Sequence, residues 1–230
     1  MNRDPDDPHG FASPPRRAHE LDDGVEGDHP VDGLRVAEDV ARWRVLERRR
    51  LIDARLAVSA SARREIARRV IGRLRGLMTA DAVVSLYWPF RGELNLRDWM
   101  DDLHGAGVRV ALPVVEAPGR PLVFREWTPA ARLVPGVWKI PVPADGATLI
   151  PSIVIAPLVG FDGGCYRLGY GGGFFDRTFE RLRADGHRPR AIGVGHSGAR
   201  IRSIHPRPHD IPMDVIVTES EWIERSGSGT

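Results

Sequence analysis

Apolar positions along the chain fall into distinct regimes. In residues 1–39 they are sparse and aperiodic among Asp, Pro, Gly and His, as in Asp4-Pro5-Asp6-Asp7-Pro8. Such a stretch buries too little surface to offset the entropy of ordering it, so a disordered acidic tail is expected there. From Val40 helix formers take over, and Ile66, Val70, Leu74 and Leu77 recur at helical spacing. Two helices are expected, over 40–58 and 60–77, the second capped by Ser59 or Ser61. Beyond Ala82 short apolar runs alternate with helical stretches. Strands are expected at 82–88, 108–113, 122–127, 153–157, 191–194 and 215–217, and helices at 94–104 and 174–182. The run at 153–157 reads as a strand covered on both faces, that at 122–127 as one near an edge. The alternation implies a single α/β domain over 40–221, with a mixed, mainly parallel sheet and flanking helices. Residues 222–230 read as a flexible C-terminus.

Composition narrows the picture. The chain is 42% apolar and 28% charged, with a formal net charge of +2, which gives no bulk electrostatic case for nucleic acid. Its basic residues are almost all arginine, Lys139 being the only lysine. Cys165 is the only cysteine, so no disulfide framework or cysteine-based zinc site forms within one chain. The N-terminus lacks a signal-peptide pattern, and no apolar run approaches the ~18 residues of a membrane span. A cytoplasmic monomer without membrane or nucleic-acid partners is expected. His205 and His209 straddle Pro206 and Pro208, so they share no helix face and suggest no transition-metal site.

The most informative segment runs Arg167-Leu168-Gly169-Tyr170-Gly171-Gly172-Gly173-Phe174-Phe175-Asp176. It lies between an apolar strand and a helix pattern. Glycines let backbone approach a ligand, and amides at a helix start attract anions. Arg167 adds a forked cation suited to phosphate. A Walker loop would need Gly-Lys-Ser/Thr, and a dinucleotide fingerprint would need glycine at 174; neither is present. The glycines alone leave a phosphate cradle and a structural glycine turn both open, and the flanking Arg167 and Asp176 favour the cradle.

This segment resembles the signature of the 5-formyltetrahydrofolate cyclo-ligases. Further similar stretches occur in the family's order: Tyr87-Trp88-Pro89-Phe90-Arg91-Gly92-Glu93, Gly136-Val137-Trp138-Lys139-Ile140-Pro141-Val142-Pro143, Pro157-Leu158-Val159-Gly160-Phe161-Asp162, and His209-Asp210-Ile211-Pro212-Met213-Asp214. The resemblance implies a NagB/RpiA/CoA-transferase-like architecture and ATP- and Mg2+-dependent conversion of 5-formyltetrahydrofolate to 5,10-methenyltetrahydrofolate, with release of ADP and phosphate. It implies that Arg44, Arg48 and the loop Arg167, Leu168, Gly169, Tyr170, Gly171, Gly172, Gly173, Phe174 and Phe175 hold ATP. It places Trp88, Glu93 and the stretch from Tyr170 to Phe174 against the folate, gives Arg167 and Tyr170 catalytic parts, and makes Asp176 and Asp210 the magnesium contacts. Read without it, Arg44 and Arg48 are two of many arginines on a solvated helix face with Arg42, Arg49, Arg50 and Arg55. Likewise, Asp176 is a first-turn carboxylate and Asp210 a turn residue.

The chain departs from the family pattern where Phe174 and Phe175 replace tyrosines, where Cys165 replaces a glycine, and around Gly193-Val194-Gly195-His196 and Ala199. These departures motivate an alternative, a divergent folate- or nucleotide-binding paralogue without catalysis. A sugar-phosphate isomerase on the same architecture is argued against by the paired aspartates and the long loop.

Overall fold

The computed structural model describes residues 31–226. In chain order the elements are α1 (Val31–Ala57), α2 (Ala60–Leu74), β1 (Val83–Ser85), α3 (Arg97–Gly105), β2 (Arg109–Val114), β3 (Val123–Trp127), β4 (Leu133–Pro135), β5 (Pro141–Pro143), β6 (Thr148–Leu149), β7 (Ile153–Pro157), β8 (Gly160–Phe161), β9 (Arg167–Leu168), α4 (Phe174–Ala184), β10 (Arg190–Val194), β11 (Val215–Val217) and β12 (Trp222–Glu224).

One eight-stranded sheet, ordered β12-β11-β10-β7-β1-β2-β3-β6, organises the domain. Its centre from β11 to β2 is parallel, and β12, β3 and β6 pair antiparallel at the flanks. The mixed, mainly parallel α/β sheet expected from the sequence is what forms. β7 lies in the middle with Ile153, Val154, Ile155 and Ala156 all buried, as a strand covered on both faces must be. One face packs Val70, Leu74, Trp99, Met100 and Ile155; the other packs Phe124, Val154, Phe161, Phe179 and Ile216. The sheet edges are strands of only two and three residues, which limits edge-to-edge pairing.

Several boundaries differ from the sequence reading; α3, for example, begins at Arg97 rather than Leu94. α1 begins at Val31 rather than Val40, so part of the expected tail is helical; residues 1–30 lie outside the described residues. β1 ends at Ser85 because Tyr87 and Trp88 leave the sheet, although Leu86 N–H still reaches the Ala111 carbonyl at 3.0 Å. Residues 222–224 are not flexible but form β12, its register fixed by Val215 opposite Glu224 and Val217 opposite Trp222; residues 227–230 lie outside the described residues. The N-cap of α2 is Ser59, whose hydroxyl accepts from Ala62 N–H at 3.2 Å.

α1 is unusual in what it buries. Among its residues whose burial is described, Arg44, Leu51 and Arg55 are buried and Arg48 is half-buried, which is one helix face at spacings of four, three and four. Leu51 packs on Val159, Leu168 and Ile204 in a small separate cluster. The helix therefore lies across the loops that leave the sheet, and Arg44, Arg48 and Arg55 point into them.

Candidate functional site

The chain order places a crevice at the carboxyl ends of the central strands. β2 lies on one side of β1 and β7 on the other, so strand order reverses there, the place where open α/β sheets bind ligands. Loops leaving β1, β2 and β7, the glycine loop, α1 and the β4–β5 hairpin enclose a cavity of about 560 Å3. Arg44, Arg48, Trp88, Glu93, every residue from Arg167 to Asp176, and Asp210 all line it. The structure thus brings together all the side chains singled out from distant parts of the sequence.

One end is cationic. Arg44, Arg48, Arg167 and Arg207 meet Asp176 and Asp210 there. Arg44 donates from Nε to the Ile204 carbonyl at 2.9 Å, and from Nη2 to the His205 carbonyl at 2.8 Å and to Asp210 Oδ2 at 2.5 Å. Nη1 adds a long bond to Asp210 Oδ1 at 3.4 Å, so most of its five donors are already engaged. Arg48 instead commits Nε to the Gly169 carbonyl at 2.6 Å, with its guanidinium against Gly171. Burial, then the charge of Arg44, lowers the Arg48 pKa. Arg167 is buried, pairs with Asp176 at 3.0 Å and lies over the Phe175 ring at 5.4 Å.

The glycine loop passes beside these arginines. Gly171 and Gly173 have φ of 98° and 62°, conformations that side chains resist. A Cβ at Gly172 would lie 2.7 Å from the Phe174 ring. Gly173 is the N-cap of α4 and offers no side-chain cap, so the first amides of the helix are left for another acceptor. Phe174 and Phe175 present rings where the family pattern has phenols.

The other end is aromatic, with one buried acid. Phe90 and Trp138 stack at 5.8 Å, and Tyr170 meets both edge-on. Glu93 is 8% exposed and accepts from Phe90 N–H at 2.9 Å. Burial pushes its pKa up to about 7, against the opposing charge of Arg55 and hydrogen bonds from Phe90 N–H and the Tyr170 hydroxyl. Burial, and then the Glu93 charge, raises the Tyr170 pKa.

For magnesium, the carboxylates available are Asp176 and Asp210. Asp176 accepts from Ile211 N–H at 3.1 Å and pairs with Arg167; Asp210 accepts from Arg44 and from Arg207 N–H at 2.7 Å. Burial raises the Asp210 pKa, but its hydrogen bonds from Arg44 and Arg207 outweigh that and the net direction is downward, so it is an anion at neutral pH. Among the described residues no group of three His, Cys, Asp or Glu side chains converges on a metal position. Two carboxylates with lone pairs to spare, beside a polycationic wall, fit magnesium that arrives with phosphate oxygens rather than a free-standing cage.

Sequence reasoning missed several lining or adjacent residues. Arg55, which the sequence alone groups with solvated arginines, is 6% exposed; its place at the end of the 44/48/51/55 face is the available signal. Arg207 and His209 line the cationic end, and Phe90 and Trp138 the aromatic end. Arg207 and His209 sit in a proline-rich irregular stretch where no periodicity marks an inward face. Among the described residues no helix is long and apolar enough to cross a membrane.

The family model described as the 5-formyltetrahydrofolate cyclo-ligase family matches residues 38–219. A 5-formyltetrahydrofolate cyclo-ligase of Escherichia coli K12 is 34% identical over 149 residues, 60% of this chain and 80% of that protein. One from Mycolicibacterium smegmatis is 29% identical over 181 residues, 75% of this chain and 92% of its own length. The solution structure of Aquifex aeolicus 5,10-methenyltetrahydrofolate synthetase superposes with a TM-score of 0.69 at 27% identity, covering 81% of this chain and 95% of that one. A 5,10-methenyltetrahydrofolate synthetase from Mycoplasma pneumoniae, at 20% identity and a TM-score of 0.62 over 76% of this chain and 98% of its own, shares the fold.

Proposed function

This chain belongs to the 5-formyltetrahydrofolate cyclo-ligase family, and we propose that its cavity carries out the ATP- and magnesium-dependent closure of 5-formyltetrahydrofolate to 5,10-methenyltetrahydrofolate, releasing ADP and phosphate. The observation that carries the reading is the polarity of one cavity. A glycine loop and helix start flanked by arginines stand at one end, and a buried glutamate among aromatic rings stands at the other.

In this reading the phosphates of ATP lie along the glycine loop. Arg48 has uncommitted Nη donors for them, and the first amides of α4 add fixed partial charge. Arg44 acts mainly by holding Asp210, since its donors are already engaged. Asp176 and Asp210 would hold magnesium, which supplies neutralisation of phosphate charge when bound. Arg167, with Asp176 fixing its orientation, is placed for the transferred phosphoryl group. Glu93 accepts hydrogen bonds from the pterin N–H groups, and Trp88 and Tyr170 pack on its flat faces.

The chemistry follows from that placement. The formyl oxygen attacks the γ-phosphorus, ADP leaves, and a poor leaving group becomes a good one. N10 then attacks the activated carbon; phosphate departs and N10 gives up its proton. The protein's part is positioning and charge stabilisation at phosphorus. Phe174 and Phe175 supply no hydroxyl, so no step here depends on one. Mixing the protein with 5-formyltetrahydrofolate and Mg-ATP should generate the methenyl absorbance band, and omission of ATP or magnesium should abolish it. A protein that binds both substrates but develops no band would refute the reading.

A further inference from the structure

Arg55 lies outside every matched motif, yet it is one of the most committed side chains near the cavity. Its Nε donates to the Arg91 carbonyl at 2.9 Å, Nη1 to the Leu158 carbonyl at 3.2 Å, and Nη2 to the Tyr170 hydroxyl at 2.5 Å. Those acceptors belong to the turn after β1, the end of β7 and the glycine loop. One guanidinium thus ties together three segments that the sheet leaves independent. Its rigid fork can do this where a flexible ammonium cannot.

Arg55 also faces Glu93. The other groups around that carboxylate are the Tyr170 hydroxyl from the glycine loop and Tyr87 from the end of β1. His196, after β10, sits on the Gly92 carbonyl at 3.4 Å, its other ring nitrogen buried without a partner, and burial lowers its pKa. Arg91, on the same turn as Glu93, places its guanidinium over the Phe90 ring at 5.3 Å. Arg55 is therefore the cation acting on Glu93; hydrogen bonds from Phe90 N–H and the Tyr170 hydroxyl work with it, and burial works against it.

We propose that Arg55 is a positioning residue of the folate end: its fork clamps the Glu93 turn to the glycine loop, and its charge faces the Glu93 carboxylate that accepts from the pterin N–H groups. The inference rests on the reading above, which places the pterin against Glu93. It separates two contributions of one side chain, the fork that sets geometry and the charge that sets protonation.

The test begins without ligand. In full-length protein carrying 13C-carboxyl glutamate, the Glu93 resonance is assigned by its loss in Glu93→Gln and titrated in wild type, Arg55→Met and Arg55→Lys. An opposite charge at contact range moves a carboxyl midpoint by roughly 1–3 on the pH scale, so Arg55→Met should raise the Glu93 midpoint by at least about 1. Arg55→Lys, which keeps the charge, should leave the midpoint near wild type. Folate affinity is then measured against pH, with a non-hydrolysable ATP analogue as control. On the acid side of the profile, a midpoint higher by about 1 on the pH scale weakens folate Kd about tenfold. Arg55→Met should lose that much, and Arg55→Lys should lose affinity at every pH through the shortened, unforked contact. Nucleotide affinity should hold in both.

An unchanged Glu93 midpoint in Arg55→Met overturns the proposal and leaves the folate assignment intact. A raised midpoint with unchanged folate affinity overturns it by way of the folate assignment. Should Arg55→Met fail to fold, Arg55→Lys decides: a midpoint raised as if the charge were gone, or full folate affinity, overturns the proposal.

Discussion

Replacing Glu93 by Gln should make the protein more stable and worse at binding folate. The folded state moves this carboxyl from 4.5 to about 7. Each step of 1 in pKa corresponds to about 1.4 kcal/mol, so holding the group ionised in the fold costs roughly 3 kcal/mol. The sign follows from proton binding. Above pH 4.5 the unfolded chain has released the proton, while the folded protein retains it to about pH 7. Stability conferred by the neutral acid is therefore present below pH 4.5, declines by about 1.4 kcal/mol for each step of 1 as pH rises, and is gone above pH 7. Glutamine does not titrate, and its carbonyl can still accept from Phe90 N–H. The gain of Glu93→Gln over wild type should be near zero at about pH 4.5 and roughly 2–4 kcal/mol at about pH 8. Urea unfolding of both proteins at about pH 5 and pH 8 measures it, provided the m-values agree. A variant equally displaced from wild type at both pH values, or destabilised at the higher one, would refute the electrostatic argument. Folate binding should move the other way. Loss of a charge-assisted acceptor costs roughly 1.5–3 kcal/mol, or about ten- to a hundred-fold in Kd at the higher pH, with nucleotide binding spared. The two proteins should converge in folate affinity at the lower pH, where wild-type Glu93 is itself neutral.

Arg48→Ala should weaken a non-hydrolysable ATP analogue by about ten- to a hundred-fold in calorimetry, since a charge-assisted contact is worth roughly 1.5–3 kcal/mol. Asp176→Asn and Asp210→Asn should each reduce turnover in a way that added magnesium partly restores, and the double variant should lose less than the two singles combined. Asp210→Asn should also lower stability by about 1–3 kcal/mol in chemical denaturation, because it leaves the buried Arg44 uncompensated. Gly172→Ala should depress kcat while leaving the fold intact by circular dichroism, because the new methyl would displace the Phe174 ring. Deleting residues 1–30 should leave activity unchanged, whereas deleting 1–39 removes the Ala37 carbonyl that Arg207 grips at 2.8 Å and should weaken nucleotide binding.

The parts of the molecule legible in the sequence are those with strong local grammar. The apolar run at 153–157 announces a central strand, and the glycine stretch announces backbone that a side chain would obstruct. The edge elements are not legible: β6 and β12 are too short for any period to show, and their strand state comes from pairing with β3 and β11. Trp138 and Lys139 both adopt positive φ at the tip of the β4–β5 hairpin, a conformation their residue types give no reason to expect. Arginine is the hardest residue type to read. Arg49 and Arg50 are exposed and Arg44 and Arg55 buried on one helix, and only the acceptors that meet them from elsewhere in the chain distinguish the two sets.

α1 grips both ends of the cavity. Arg44 and Arg48 stand at the cationic end and Arg55 at the aromatic end, about 16 Å apart along the axis at ~1.5 Å per residue. A helix is stiff over that distance, so it acts as a beam with a load at each end. Movement of the beam by one substrate would reset the geometry that the other meets. The affinities of nucleotide and folate would then be linked, and thermodynamic reciprocity makes such a linkage equal in both directions: whatever factor the nucleotide adds to folate binding, folate adds to nucleotide binding. With such a linkage the order in which the two substrates arrive would be a kinetic matter, while the strength of a ternary complex would belong to the seating of a single helix.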